Sequence, residues 1–265
     1  MLGKLCKHEI KATARYFLPL FLIALVLTPI TRFTVSLGDF PGILKFIPVV
    51  IIFAYVASLI VVAAASVLLI VHRFYKSMVT EEGYLMHTLP VSSEMHIFAK
   101  LIISSLWMVA STLVIVLSLF LMFFTPDRFS HLLNEWHSLW NSIALYGSTA
   151  QITLTIIEII ICMLIGIFTS PLIFYASIAL GQVISKNKVI GSVAGFFIIQ
   201  IASQILGVIA MIPLGYTMDS IDTVSTQISV MTNLFLPFCI IIALVSSIIL
   251  FLITDFIFKK KLNLE

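Results

Sequence analysis

The chain has 265 residues, of which 61% are hydrophobic and only 10% charged, with a net charge of +3. Soluble domains run nearer half apolar and a quarter charged, and most of a soluble domain's surface must face water. A mean hydropathy of +1.18, gathered into long runs, therefore excludes an ordinary soluble domain and makes the chain an all-α, polytopic membrane protein.

In chain order, residues 2–15 read as an amphipathic helix. Lys4, Lys7, Lys11 and Arg15 recur at intervals of three and four, so they share one helical face. Leu2, Leu5, Cys6, Ile10 and Ala14 fall largely on the other. Such a helix is expected to rest on an anionic leaflet with its apolar face down. The first apolar segment follows at 16–31. It is short for a span, since a hydrocarbon core about 30 Å thick needs roughly 20 apolar residues. A basic start and a short apolar run also shape signal peptides. No small-x-small cleavage site follows, and Arg32 comes directly after the run. Snorkelling of Arg32 to the headgroups is expected.

The second segment covers 46–71. Ala54, Ser58 and Ser66 give it a stripe of small residues. The stretch His72–Ala99 is far longer than two spans need as a connector. Within it Thr80 is placed to cap a short helix, with Glu81 and Glu82 in the first turn. Tyr84, Leu85, Met86 and Leu89 give that helix an apolar side, and Pro90 ends it. Ser92 or Ser93 then starts the next helix, with Glu94 in its first turn. Exposed apolar groups on a folded loop point to a docking surface, and a helix lying on the membrane is the plainer alternative.

The third segment is 101–125. After it, Phe129, Leu132, Leu133, Trp136, Leu139, Trp140 and Ile143 fall on one helical face of residues 126–148. Two tryptophans on that face suit the headgroup layer, so this segment is expected to lie in the interface rather than cross. The fourth segment, 149–179, is long enough to tilt or to break at Pro171. It holds Glu158, the only acid deep in an apolar run. An ionised carboxylate is costly in lipid, so Glu158 must face protein or a wet cavity, or be protonated. The fifth segment, 189–214, carries Gly191, Gly195, Ser203 and Gly207, with Gln200 and Gln204 on a neighbouring face. Small residues at this spacing let helices approach closely. Glu158, Gln200 and Gln204 form a possible intramembrane polar site or a structural hydrogen-bonded group. The sixth segment is 234–258, and Asp255 is placed to pair with Lys259 one turn on.

Lysine and arginine are retained on the cytoplasmic side of short loops. With the N-terminus inside, twelve of the fifteen basic residues fall in inside regions, leaving only Arg32, Lys45 and Arg128 outside. Six spans then place both termini in the cytoplasm. The reverse orientation inverts the bias.

Catalytic and metal-binding patterns are lacking. Cys6, Cys162 and Cys239 have neither disulfide-scaffold nor zinc spacing. His8-Glu9 has no second histidine four residues on, and no G-x-x-x-x-G-K-[ST] phosphate loop is present. The chain is thus expected to be no enzyme and to hold no cofactor or metal. It is expected to bind no nucleic acid. Any work it does with ATP requires an ATPase on another chain.

Three stretches carry a family likeness: GKLCKHEIKATARYFLPL at 3–20, RFYKSMVTEEGYLMHTLPVSS at 73–93 and IALGQVISKNKVIGS at 178–192. Together with the six-span plan they make the chain resemble permeases of the ABC-2 type from low-GC Gram-positive bacteria. EEGYLMHTLP is the most specific part. The resemblance implies two permease subunits, identical or different, above two separately encoded ATPases that carry ATP and Mg. It implies a bacterial plasma membrane and an exporter with unidentified cargo. It also implies that 80–98 is the coupling segment, and the two acids and apolar turn within it make Glu81, Glu82, Tyr84, Leu85 and Leu89 its expected ATPase contacts. Residues 2–15 would pack beside it as the interface helix. The link at 212–232 would re-enter the outer leaflet, although its centre, TMDSIDT, is short and polar for a full hairpin. The competing functions are a secondary transporter, a non-transporting scaffold or sensory partner, and a membrane-embedded enzyme. A secondary transporter would favour internal repeats and midplane ion sites. An embedded enzyme lacks paired catalytic acids here.

Overall fold

A computed structural model describes residues 2–38, 46–79, 93–124, 126–146, 148–183, 187–218, 226 and 229–260. Seven α-helices account for nearly all of them: α1 (Leu2–Ser36), α2 (Phe46–Met78), α3 (Ser93–Phe123), α4 (Pro126–Tyr146), α5 (Thr149–Val183), α6 (Lys188–Met218) and α7 (Leu236–Lys260). A π-helical turn at Met231–Phe235 leads into α7. Among the described residues there is no strand.

Six of the helices are long and apolar enough to cross a membrane, over Leu5–Ser36, Phe46–Met78, Glu94–Phe123, Thr149–Val183, Lys188–Ile212 and Met231–Lys259. The shortest of these has 25 residues, which at 1.5 Å per residue reaches about 37 Å. Large side chains such as Leu22, Phe53, Leu68, Phe197 and Ile198 face outward. Lipid is the medium that tolerates such surfaces, and a helix is the form that satisfies its backbone without water. Each predicted apolar segment falls on one of these helices, with 101–125 and 189–214 running two residues past the spans that end at Phe123 and Ile212. α4 is not among the six, and Leu132, Trp136, Leu139 and Trp140 on it are exposed.

The first segment needs correction. The sequence divides it into an interfacial helix, 2–15, and a short span, 16–31. The structure has one uninterrupted helix from Leu2 to Ser36, with Pro19 and Pro29 inside it. One buried stripe runs through the join: Glu9, Thr13, Phe17, Phe21, Ala24 and Thr28, spaced at four, four, four, three and four. No change of phase separates the two halves, so nothing turns the chain between them. The face of 2–15 that packs on the protein is neither the basic one nor the apolar one expected to meet lipid. Leu5, Cys6 and Ala14 are half-buried and Ile10 is exposed, while Glu9 and Thr13 are buried.

The chain divides into two compact units, residues 1–76 with 98–131, and residues 77–97 with 132–265. In the first unit, α1, α2 and α3 run down, up and down. The side-chain contacts fix that order. Glu9 meets Arg73 and Lys100 at one end. Ser66 meets Ser111 midway at 2.7 Å. Toward the other end Thr28 and Tyr55 both hydrogen-bond Ser118, at 2.7 and 2.9 Å. Beyond them Arg32 donates to the carbonyl of Leu121 at 2.8 Å. That carbonyl lies in the last turn of α3, where backbone acceptors lack helical partners and a cation is favoured. The buried face of α2 is Tyr55, Val62, Ser66, Ile70 and Phe74, and Ala54 faces outward.

In the second unit, α5 and α6 are antiparallel. Phe174 stacks on Phe196 with centroids 5.5 Å apart, and Gly195 sits against the Ser177 carbonyl and Leu180. α5 and α7 are parallel. Gln151 donates to Ser229 at 2.8 Å, and Thr155 pairs with Thr232 and Thr169 with Ser247, each at 2.6 Å. α5 stays continuous through Pro171, which is buried. Hydroxyls such as Thr169 and Ser170 also bond back to the carbonyls four residues earlier, as polar side chains do where no water competes.

Candidate functional site

The most concentrated chemistry in the first unit is a buried charge cluster at one end of its three helices. Glu9 Oε1 accepts from Lys100 Nζ at 2.7 Å and Glu9 Oε2 from Arg73 Nε at 3.0 Å. The side chains of Glu9 and Lys100 are only 6% and 4% exposed, against 26% for Arg73. One carboxylate therefore joins α1, α2 and α3. Charges this well shielded interact strongly but lose most of their hydration.

The cluster continues inward as a column. Thr13, one turn on from Glu9, donates its hydroxyl to the Glu9 carbonyl at 2.8 Å. Thr13 Oγ1 in turn accepts the indole N–H of Trp107 at 2.7 Å. The Trp107 ring stacks on Phe17, with centroids 4.5 Å apart and planes 6° from parallel. Phe21 approaches the indole at 6.1 Å. The buried indole thus has its polar handle satisfied and its face covered.

Sequence reasoning missed this cluster. By motif, Glu9 is only half of an incomplete His-Glu pattern. The available signal was its position. It lies in phase with Thr13, Phe17, Phe21 and Ala24 on a face that is otherwise apolar or weakly polar. An acid there needs a cation, and Lys100 and Arg73 begin and end neighbouring spans.

The residues singled out for coupling, Glu81, Glu82, Tyr84, Leu85 and Leu89, lie outside the described residues, as do Thr80 and Pro90. α3 begins at Ser93, with Glu94 in its first turn. Lys259 donates to Glu94 and, at 2.7 Å, to Asp255. The expected Asp255–Lys259 pair is therefore present and is shared with the start of α3. Of the basic stripe, Lys7, Lys11 and Arg15 are exposed, as a charged face should be, and the Lys4 side chain lies outside the described residues. The link 212–232 is described only at 212–218, 226 and 229–232.

Glu158, Gln200 and Gln204 are not brought together. The α5–α6 contacts pair Ser177 with Gly195 and Phe174 with Phe196. That register sets Gln200 level with about Leu172 and Gln204 with about Phe168. Glu158 then lies about 15 Å further along the axis from Gln204. Instead Glu158 sits on the α5 face that carries Thr155, one turn past the Thr155–Thr232 pair. Its Oε2 is shielded from solvent and has no hydrogen-bond partner. Cys162 follows one turn later, and the spacing of 77 to 78 residues in the α5–α7 pairs sets it opposite Cys239. All three cysteines are free thiols.

The small-residue stripe on α6 is used in part. Gly195 packs on α5, and from the α5 side a carbon added at Gly181 would meet the backbone of Lys188 and Ser192 at 2.6 Å. Gly207 faces open space. Among the described residues no group of three or more histidine, cysteine or acidic side chains is placed to hold a metal.

No protein-family model, curated protein or solved structure matches the chain. The helices and their contacts establish a polytopic, all-α membrane protein with six helices able to span a bilayer.

Proposed function

We propose that the chain is the membrane-spanning subunit of an ATP-driven exporter of the ABC-2 permease type, in a bacterial plasma membrane. Its partners in this reading are separately encoded ATPases and a second permease subunit. The observation that carries the reading is the Glu9 node. Lys100 and Arg73 stand near the ends of α3 and α2 that residues 79–92 connect, and Glu9 ties both to α1. A push delivered to the connecting segment by an ATPase therefore reaches three spans together. Glu81 and Glu82 would meet basic groups on the ATPase, and Tyr84, Leu85 and Leu89 would fill a groove. Aromatic and leucine anchors outweigh rim charges at such contacts.

The test is co-expression with a soluble ATPase, sought first among the genes neighbouring that of this chain, followed by pull-down from membranes. Leu85→Asp and Tyr84→Ala are expected to weaken capture or stimulated hydrolysis more than Glu94→Gln. A cysteine at Leu85 is expected to crosslink to the ATPase in a nucleotide-dependent way. Normal capture and turnover in Leu85→Asp, with no crosslink anywhere in 80–98, would refute the reading.

One observation favours a secondary transporter instead: Glu158, an acid within a span whose Oε2 has no partner. Substrate movement in vesicles that lack the ATPase, driven by a proton gradient and abolished in Glu158→Leu, would select that alternative.

A further inference from the structure

The outer face of the α1–α2 pair holds a groove of about 590 Å³, within the range of small-molecule sites. Its walls are Pro19 and Leu20 from α1 and Ala65, Leu68 and Leu69 from α2. At one end stand Arg15, Tyr16 and His72. Arg15 on α1 and His72 on α2 are the lining residues nearest the Glu9–Arg73 end, and Leu20 and Ala65 are the ones farthest from it. The groove runs about 10 Å along the helices, from the seven residues between Ala65 and His72 at 1.5 Å each. It is open to the side and lies on two membrane-spanning helices, so the molecules that reach it are lipids.

The rim gives the groove a sign. Arg15 lies with its guanidinium carbon 5.1 Å from the centroid of the Tyr16 ring. Such a contact does not need the guanidinium N–H donors, which stay available to a planar or tetrahedral oxyanion. No acidic side chain among the described residues pairs with Arg15. Arg73, which leaves the same end of α2, is by contrast engaged by Glu9. Lys11, one turn before Arg15, is exposed as well. An apolar trench about half a leaflet deep, with an unneutralised arginine at its mouth, complements one chemistry: an acyl chain below a phosphodiester.

We propose that this groove is a binding site for one anionic glycerophospholipid of the surrounding bilayer. Its phosphate meets Arg15 and the His72 ring, and its first methylenes lie against Pro19, Leu68 and Leu69. This is a site of defined geometry, distinct from general attraction of the basic stripe to an anionic surface. It does not depend on the exporter reading.

The full chain, reconstituted in bilayers of equal phosphatidylglycerol and phosphatidylcholine, is extracted and its retained lipids are counted by native mass spectrometry. One phosphatidylglycerol per chain is expected, in preference to phosphatidylcholine. Arg15→Gln is expected to lower that preference about fivefold, the worth of one basic residue at an anionic surface. Arg15→Lys should keep most of it. Ala65→Phe, which fills the groove without changing charge, should remove the retained lipid. Arg15 is exposed, so its variants test the site without disturbing the packed face of α1. Equal retention of the two lipids by the unaltered chain would overturn the proposal. So would a loss in Lys11→Gln as large as in Arg15→Gln, with Ala65→Phe unaffected, because diffuse attraction alone produces that pattern.

Discussion

Replacing Glu9 by glutamine tests the central node of the first unit. The variant keeps the shape and one acceptor but removes the charge. At 2.7 Å the attraction between Glu9 and Lys100 is about 6 kcal/mol at an effective dielectric constant of 20. Desolvation of two shielded ions offsets most of that, so the intact pair contributes little net stability. Removing one member is different, because the other keeps its desolvation cost. Breaking a buried pair costs about 3–5 kcal/mol. The lower end applies here, since Arg73 is 26% exposed against 4% for Lys100, so the loss falls mainly on Lys100. Glu9→Gln is therefore expected to cost about 3 kcal/mol. Lys100→Met leaves Glu9 paired with Arg73 and should cost about 1–2 kcal/mol, near the value of one charged hydrogen bond. The double variant removes both ions and should cost about 2 kcal/mol less than the sum. Reversible unfolding in mixed micelles, followed by tryptophan emission, measures all three. Additivity within about 0.5 kcal/mol would refute the claim that the two charges depend on each other.

Trp107→Phe should keep the stacking on Phe17 but lose the hydrogen bond to Thr13, costing about 1 kcal/mol in unfolding followed by circular dichroism, whereas Trp107→Ala should cost about 3–5 kcal/mol. Gly181→Ala should destabilise the second unit by about 1–3 kcal/mol, because the added carbon strikes the backbone at the start of α6. Gly207→Ala faces open space and should be neutral or stabilising by up to about 1 kcal/mol through helix propensity, and a large loss there would reveal a partner on that face. Orientation is tested by single cysteines in a background lacking the native three. Ser36, Ser138 and Ser220 should label in intact cells, and Ser92, Asn187 and Asn263 only after permeabilisation. Labelling at Ser92 from outside reverses the topology.

Span number and helix type were legible because they depend on composition alone. A run such as Phe46–Val71 must be helical wherever it packs, since lipid offers its backbone no other partner. The start of α3 at Ser93 and the Asp255–Lys259 pair were legible because capping and one-turn pairing act over a few residues. The unbroken α1 was partly legible, since the four-residue spacing from Glu9 to Phe17 crosses the assumed boundary in phase. It was overlooked because charge changes at Arg15 while the packing stripe does not.

Composition and local spacing thus determined the membrane environment, the six apolar helices and the sign of their flanks, all of which respond to solvent rather than to neighbours. Tertiary structure alone decided which face of each helix packs. A span is apolar on every side, so hydropathy cannot distinguish a face turned to lipid from one turned to protein. That is why Glu9, Arg73 and Lys100, which lie 64 and 27 residues apart in sequence, meet only in the fold. The α5–α6 register, set by Gly195 and Phe196 against α5, likewise carries Gln200 and Gln204 well away from Glu158.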